Sequence, residues 1–159
     1  MLQLISHADF PARVAACIRY HGLAPEQLVL EITEDALLAD PIAAREVTRQ
    51  LHEIGAILAL DDFGSGYSSL LHLQQISPRS VKIDRCFARD LDTNPATERF
   101  MAALLALCRD LGLRVIVEGV ERAAQADALR RLGCSHAQGY LFGRPARPEE
   151  INELVYREY

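Results

Sequence analysis

The sequence predicts an α/β chain in which short strands and amphipathic helices alternate around a parallel sheet. Three observations predict it. A helical pattern, then a glycine, then an apolar run of strand length recurs at Gly22, Gly55, Gly112 and Gly133, the punctuation of β–α repeats. Asp40-Pro41 and Asn94-Pro95 pair a capping side chain with a proline suited to the first helical turn. The strand-length runs finish in polar groups: Glu31, Asp61 with Asp62, Lys82, Glu118 and Gln138. With 159 residues, 50% of them apolar and 25% charged, the chain can bury a sizeable core as one domain or part of one.

Taken in order, Asp9, Pro11, Val14, Ala15 and Ile18 predict a helix ending near His21-Gly22, and Gln27–Ile32 reads as a strand leading out to Glu31 and Glu34. After Asp40-Pro41, the residues Ala44, Val47, Leu51 and Ile54 mark a helical face that Gly55 closes, and Ala56–Leu60 is the next strand. It delivers Asp61 and Asp62 to a glycine-rich turn, Phe63-Gly64-Ser65-Gly66-Tyr67. A short helix around Ser68 to Gln75 and the breaker Pro78 lead to the strand Ser80–Asp84. Phe100, Met101, Leu104, Leu105, Cys108 and Leu111 line the clearest helix, which ends at Gly112. Arg114–Glu118 is a strand, Ala123–Leu132 a helix stopped by Gly133, Ser135–Tyr140 a last short strand, and Pro148 the start of a terminal helix.

Composition narrows the function. A net charge of −5 argues against the basic face that DNA or RNA binding needs. No apolar run approaches the ~18 residues of a membrane span and no basic region leads into a signal-like stretch, so the cytoplasm is the expected compartment. Cys17, Cys86, Cys108 and Cys134 show no paired or metal-type spacing and read as reduced core residues. Tyr140 and Phe142 read as core aromatics, with stacking on a ligand's ring as the alternative.

In a (β/α) barrel every strand of the parallel sheet points its C-terminal end at one mouth, so Glu31, Asp61, Asp62, Lys82, Glu118 and Gln138 would converge. Two carboxylates about 4 Å apart repel by roughly 4 kcal/mol at an effective dielectric near 20, and cations must offset that. The donors are oxygens, without His or Cys, which suits Mg²⁺ or Mn²⁺ rather than zinc. Two such ions sharing Asp61 could clamp both oxygens of a phosphodiester displacement. Of the 17 basic residues only Lys82 is lysine; a compact ammonium stands there where a guanidinium fork would not fit.

These residues carry a resemblance to the EAL domain family of bacterial cyclic di-GMP phosphodiesterases. It runs from about Gln3 to Glu150 through Leu30-Glu31-Ile32-Thr33-Glu34, Asp61-Asp62-Phe63-Gly64-Ser65-Gly66-Tyr67-Ser68-Ser69-Leu70, Lys82-Ile83-Asp84, Glu118-Gly119-Val120-Glu121 and Gln138-Gly139-Tyr140. The resemblance implies a barrel of the TIM type with one antiparallel strand, hydrolysis of cyclic di-GMP to linear pGpG, and two divalent cations, Mg²⁺ or Mn²⁺. It implies that Glu31 binds one metal, that Asp61 bridges both, and that Asp62 and Glu118 bind the second. Glu118 would be the general base, and Lys82 would hold the water or a phosphate oxygen. Glu34 would steady the loop Phe63 to Leu70, which couples the metals to a homodimer interface, while Gln138, Glu121 and Asp84 would support the pocket.

The family domain has about 250 residues, as barrels of this kind do, so residues 1–159 correspond to its C-terminal two-thirds: a single truncated domain and a partial barrel whose N-terminal strands are missing. The metal ligands of the naming Glu-Ala-Leu triplet and of an Asn-containing strand have no counterpart here, and Glu34-Asp35-Ala36-Leu37 only looks like the first. The sheet would then end at an exposed parallel strand. Arg122 stands where the family commonly has a capping threonine, a loss of ~1 kcal/mol at that helix start. The alternative function is an inactive cyclic di-GMP-binding or protein-interaction module. An enolase-type lysine base does not call for adjacent aspartates before a glycine-rich turn. A kinase reading of Asp62-Phe63-Gly64 lacks the accompanying motifs, and Ser69 breaks a Rossmann fingerprint.

Overall fold

The structure, a computed structural model, describes residues 7, 9–64, 73, 76–147, 149 and 150, without the side chains of Glu34 and Leu38. The helix expected around Ser68 to Gln75, Leu73 excepted, and the start of the terminal helix at Pro148 lie outside the described residues. The chain divides into two compact units: Met1–Lys82 with Gly112–Arg114, and Ile83–Leu111 with Val115–Tyr159. Four strands, β1 (Val29–Thr33), β2 (Ile57–Phe63), β3 (Ser80–Ile83) and β4 (Arg114–Val117), form one sheet in the order of the chain. The predicted parallel α/β architecture is therefore present, as an open sheet with β1 at one end.

In the first unit, α1 (Phe10–His21) buries Pro11, Val14 and Ile18 and ends at Gly22, whose φ of 63° lets the Leu23 amide reach back to the Ile18 carbonyl at 3.1 Å. A 3-10 turn at Pro25–Gln27 takes Gln27, which the pattern had assigned to the strand, and β1 begins only at Val29. A short helix not foreseen, α2 (Glu34–Ala39), follows directly; its residues are mostly good helix formers and Thr33 enters it with extended dihedrals. In α3 (Pro41–Ile54) the Asp40 carboxylate accepts from the Ala43 amide at 3.0 Å, and Ala44, Val47, Thr48 and Leu51 face the core. β1 and β2 pair in parallel, Val29 opposite Ile57 and Thr33 opposite Asp61. β2 continues past the expected end at Leu60 through both aspartates to Phe63. Leu58, Leu60 and Val81, each at most 1% exposed, fill the centre of this unit.

In the second unit, Asn94 caps α4 (Pro95–Asp110) through the Ala96 amide at 2.9 Å, and Met101, Leu105 and Cys108 are buried. Phe100 and Leu111, expected on that face, are exposed; Phe100 stacks instead on Phe87 with centroids 5.1 Å apart. α5 (Ala123–Arg131) adds Ala126, Ala128 and Leu129 to a core that includes Ile83, Leu91, Val117 and Val120. The strand expected over Ser135–Tyr140 reduces to one parallel bridge, Val117 to Ala137, because the chain turns away at Gly139. Two of the cysteines read as core residues, Cys17 and Cys86, are exposed; only Cys108 is fully buried. Tyr140 is exposed as well, with the Arg144 guanidinium 4.3 Å from its ring centre.

Candidate metal centre

Side chains alternate along a strand, so the β1–β2 register places Glu31 and Thr33 on the same face as Ala59 and Asp61. Lys82, on β3, reaches both acids from that face. Its Nζ lies 2.9 Å from Asp61 Oδ1 and donates to Glu31 Oε2 at 3.1 Å. The lysine side chain is only 8% exposed, which rules out a snorkelling surface lysine and makes its charge a compensator for the acids around it. Strict alternation would send Asp62 to the opposite face from Asp61. Instead Asp62 has a φ of 55°, a left-handed conformation that aspartate tolerates better than most residues. The break in alternation brings carboxylate oxygens of Asp61 and Asp62 within 4.8 Å of each other.

Two carboxylates, Glu31 and Asp61, thus share the Lys82 ammonium, and Asp62 stands beside Asp61. Asp61 Oδ1 is buried, and its described partner is the Lys82 ammonium at 2.9 Å. Adjacent carboxylates that converge beside a single buried ammonium form an all-oxygen donor set that fits a hard divalent cation.

In the second unit, Glu118 directly follows β4; its amide donates to the Ile83 carbonyl at 3.0 Å, one residue beyond Lys82 in the chain. The turn after it is held tightly. The Val120 amide donates to the Gln138 carbonyl at 3.0 Å, and the Leu141 amide to the Val120 carbonyl at 3.1 Å. Gly119 has a φ of 70°, and a Cβ there would stand 2.3 Å from Cβ of Arg85; one on Gly139 would stand 2.1 Å from the Val120 oxygen.

Asp84 Oδ1 accepts the Cys86 amide at 2.8 Å, capping a 3-10 turn at Arg85–Phe87. Burial opposes its ionisation, but the hydrogen bonds from Cys86 outweigh that and hold the carboxyl below its usual range. Burial, and then the Asp84 carboxylate, push the Cys86 thiol up to about 11. Gln138 and Glu121 are exposed. The Glu34 side chain and the residues from Ser65 to Leu70, expected to steady and form the coupling loop, lie outside the described residues.

Sequence reasoning missed Gln125. Arg122 makes no side-chain cap, yet α5 starts there: the Gln125 carbonyl oxygen accepts from the Glu121 and Arg122 amides at 2.9 and 2.8 Å. Arg122 turns outward to Asp92 with both Nε and Nη2, at 3.1 and 2.6 Å. The available signal was a glutamine standing three residues beyond the expected cap, the spacing of a capping box.

This arrangement defines a class. Residues 2–145 match the EAL domain family, and the chain belongs to that family. Among its relatives, the bifunctional diguanylate cyclase/cyclic di-GMP phosphodiesterase MucR of Pseudomonas aeruginosa is 39% identical over 146 residues, 92% of this chain and 21% of MucR. The cyclic di-GMP phosphodiesterase RocR of the same organism is 40% identical over 137 residues, 86% of this chain and 35% of RocR. The MucR phosphodiesterase solved in complex with c-di-GMP superposes with a TM-score of 0.87 at 38% identity, covering 95% of this chain and 61% of that one. Klebsiella pneumoniae BlrP1, solved with manganese and c-di-GMP, superposes with a TM-score of 0.84 at 34% identity, over 90% of this chain and 36% of that one. The chain therefore spans about a fifth to a third of these curated relatives' lengths.

Proposed function

We propose that these residues belong to a metal-dependent phosphodiesterase domain that hydrolyses cyclic di-GMP to linear pGpG in the cytoplasm. The observation that carries the reading is the convergence of the Asp61 and Asp62 carboxylate oxygens within 4.8 Å of each other, beside Glu31 and the buried Lys82. Family membership and relatives solved with manganese or c-di-GMP support the substrate and the ion class. Glu31, Asp61, Asp62 and Glu118 would hold two divalent cations, Mg²⁺ or Mn²⁺, with Asp61 shared between them. When bound, such ions supply Lewis-acid polarisation of a phosphoryl oxygen and acidify a water.

The chain's own groups supply the rest. Glu118 accepts a proton as the water oxygen bonds to phosphorus, and the ribose oxygen leaves and is protonated. Lys82, held by Glu31 and Asp61, orients the water or a phosphate oxygen. Gln138, Glu121 and Asp84 line and brace the pocket, Glu34 steadies the loop that follows Asp62, and a homodimer is the working assembly. Residues 1–159 are proposed to belong to a single EAL domain, of which they form a truncated part.

Incubating the 159-residue chain with Mn²⁺ and cyclic di-GMP tests this. Linear pGpG formed by the wild type and lost by about 10²-fold or more in Glu118→Ala supports catalysis at this site. Cyclic di-GMP binding with no product from the wild type assigns these residues a regulatory binding role instead.

A further inference from the structure

We propose that Gln125 is a positioning residue that sets the Glu118–Arg122 turn and, on the reading that Glu118 ligates a metal, the carboxylate of Glu118. Gln125 is 1% exposed on α5. Its oxygen accepts from the Glu121 amide at 2.9 Å and the Arg122 amide at 2.8 Å. Its nitrogen donates to the carbonyls of Ala88 at 2.8 Å and Arg89 at 3.2 Å. An amide side chain offers two acceptor lone pairs and two N–H donors, and all four are used. The orientation of the group is therefore set by its partners, and no other side chain of this size can reproduce it.

The consequence lies in what the four bonds join. Glu118 is fixed at its own amide by Ile83, and Val120 by Gln138 and Leu141. The far end of the turn, residues 121 and 122, hangs on the Gln125 oxygen. The Gln125 nitrogen ties that end to the segment after the Arg85–Phe87 turn, whose Arg85 packs where a Gly119 side chain would be. Gly119 supplies no side chain of its own and adopts φ 70°, so the course of the backbone leaving Glu118 depends on the anchors on either side of it. Groups that hold metal ligands in place without touching the metal are worth about 10- to 100-fold in affinity or activity.

The test compares wild type, Gln125→Leu and Gln125→Glu with Leu132→Ala, which trims the same core at the end of the same helix. Amide hydrogen exchange of the 118–122 segment and Mn²⁺ affinity by calorimetry are read on the full chain. Gln125→Leu is expected to speed exchange in that segment selectively and to weaken Mn²⁺ roughly tenfold, while Leu132→Ala moves neither. Gln125→Glu keeps the two acceptor bonds and turns a carboxylate against two carbonyls; it carries the same comparison if the leucine variant does not fold. Exchange at 118–122 no faster than in Leu132→Ala overturns the proposal, as does fast exchange with unchanged Mn²⁺ affinity. A wild type that binds no Mn²⁺ refutes the metal reading and with it the link to Glu118, and exchange alone then decides whether Gln125 holds the turn.

Discussion

Replacing Lys82 by methionine removes the one described cation between Glu31 and Asp61 while keeping most of the side-chain volume. At about 3 Å and an effective dielectric near 20, each ion pair is worth roughly 5 kcal/mol in Coulomb terms before desolvation is charged against it. Removing one partner of a buried pair costs about 3–5 kcal/mol. The Glu31 side chain is 43% exposed and Asp61 17%, so solvent screens the first arm and the low end of that range, about 3 kcal/mol, applies. For a chain of this size each kcal/mol moves the midpoint by about 2–4 °C, so Lys82→Met should melt roughly 6–12 °C below wild type in chelator. Adding Mn²⁺ should reverse the order of response. A divalent ion takes over the neutralising role, and the variant should gain more stability from it than the wild type does, since ligand stabilisation grows as affinity rises. Hydrolysis should not return. Thermal melts with EDTA and with Mn²⁺ decide it: a variant within about 2 °C of wild type in EDTA, or one that gains no more from Mn²⁺, refutes the idea that ammonium and ion compete for the same carboxylates.

Two further outcomes follow from the turn geometry and the thiols. Gly119→Ala forces a left-handed φ onto a side chain whose Cβ would stand 2.3 Å from Arg85; the two costs together come to about 2–4 kcal/mol, and a urea melt should show the unfolding free energy falling by that much. Cys86, although exposed, has its thiol pushed up to about 11 by burial and by Asp84, so its disulfide-exchange labelling at pH 8 should be slow and should climb steadily toward pH 11. Asp84→Ala removes the carboxylate and should speed the labelling at pH 8; an unchanged rate would show that Asp84 does not hold the thiol protonated.

Local chemistry, written in adjacent residues, was legible in the sequence. Asp40 and Asn94 cap their helices, Gly22 and Gly55 end theirs with positive φ, and the apolar positions 44, 47 and 51 face the core. Strands that carry Glu31, Asp61 and Lys82, and the one that Glu118 follows, were readable for the same reason, because a β–α boundary is a short-range pattern, although β1 and β2 run on past Glu31 and Asp61. Where the sequence misled, a longer contact decided: Phe100 left the core to stack on Phe87, and Ser135–Tyr140 kept a single bridge.

The amino-acid order by itself determined the alternation of strands and helices, the family, and which carboxylates stand at strand ends. Only the tertiary structure decided that Lys82 is buried against Glu31 and Asp61, that Asp62 leaves the strand's alternation through a φ of 55°, and that Gln125 divides its four hydrogen bonds between the 121–122 amides and the Ala88 and Arg89 carbonyls. The physical reason is range. Caps, breaks and periodicities act within a few residues, whereas the charge balance of an acid and the satisfaction of a buried amide depend on groups 21 to 51 positions away, which the chain brings together only by folding.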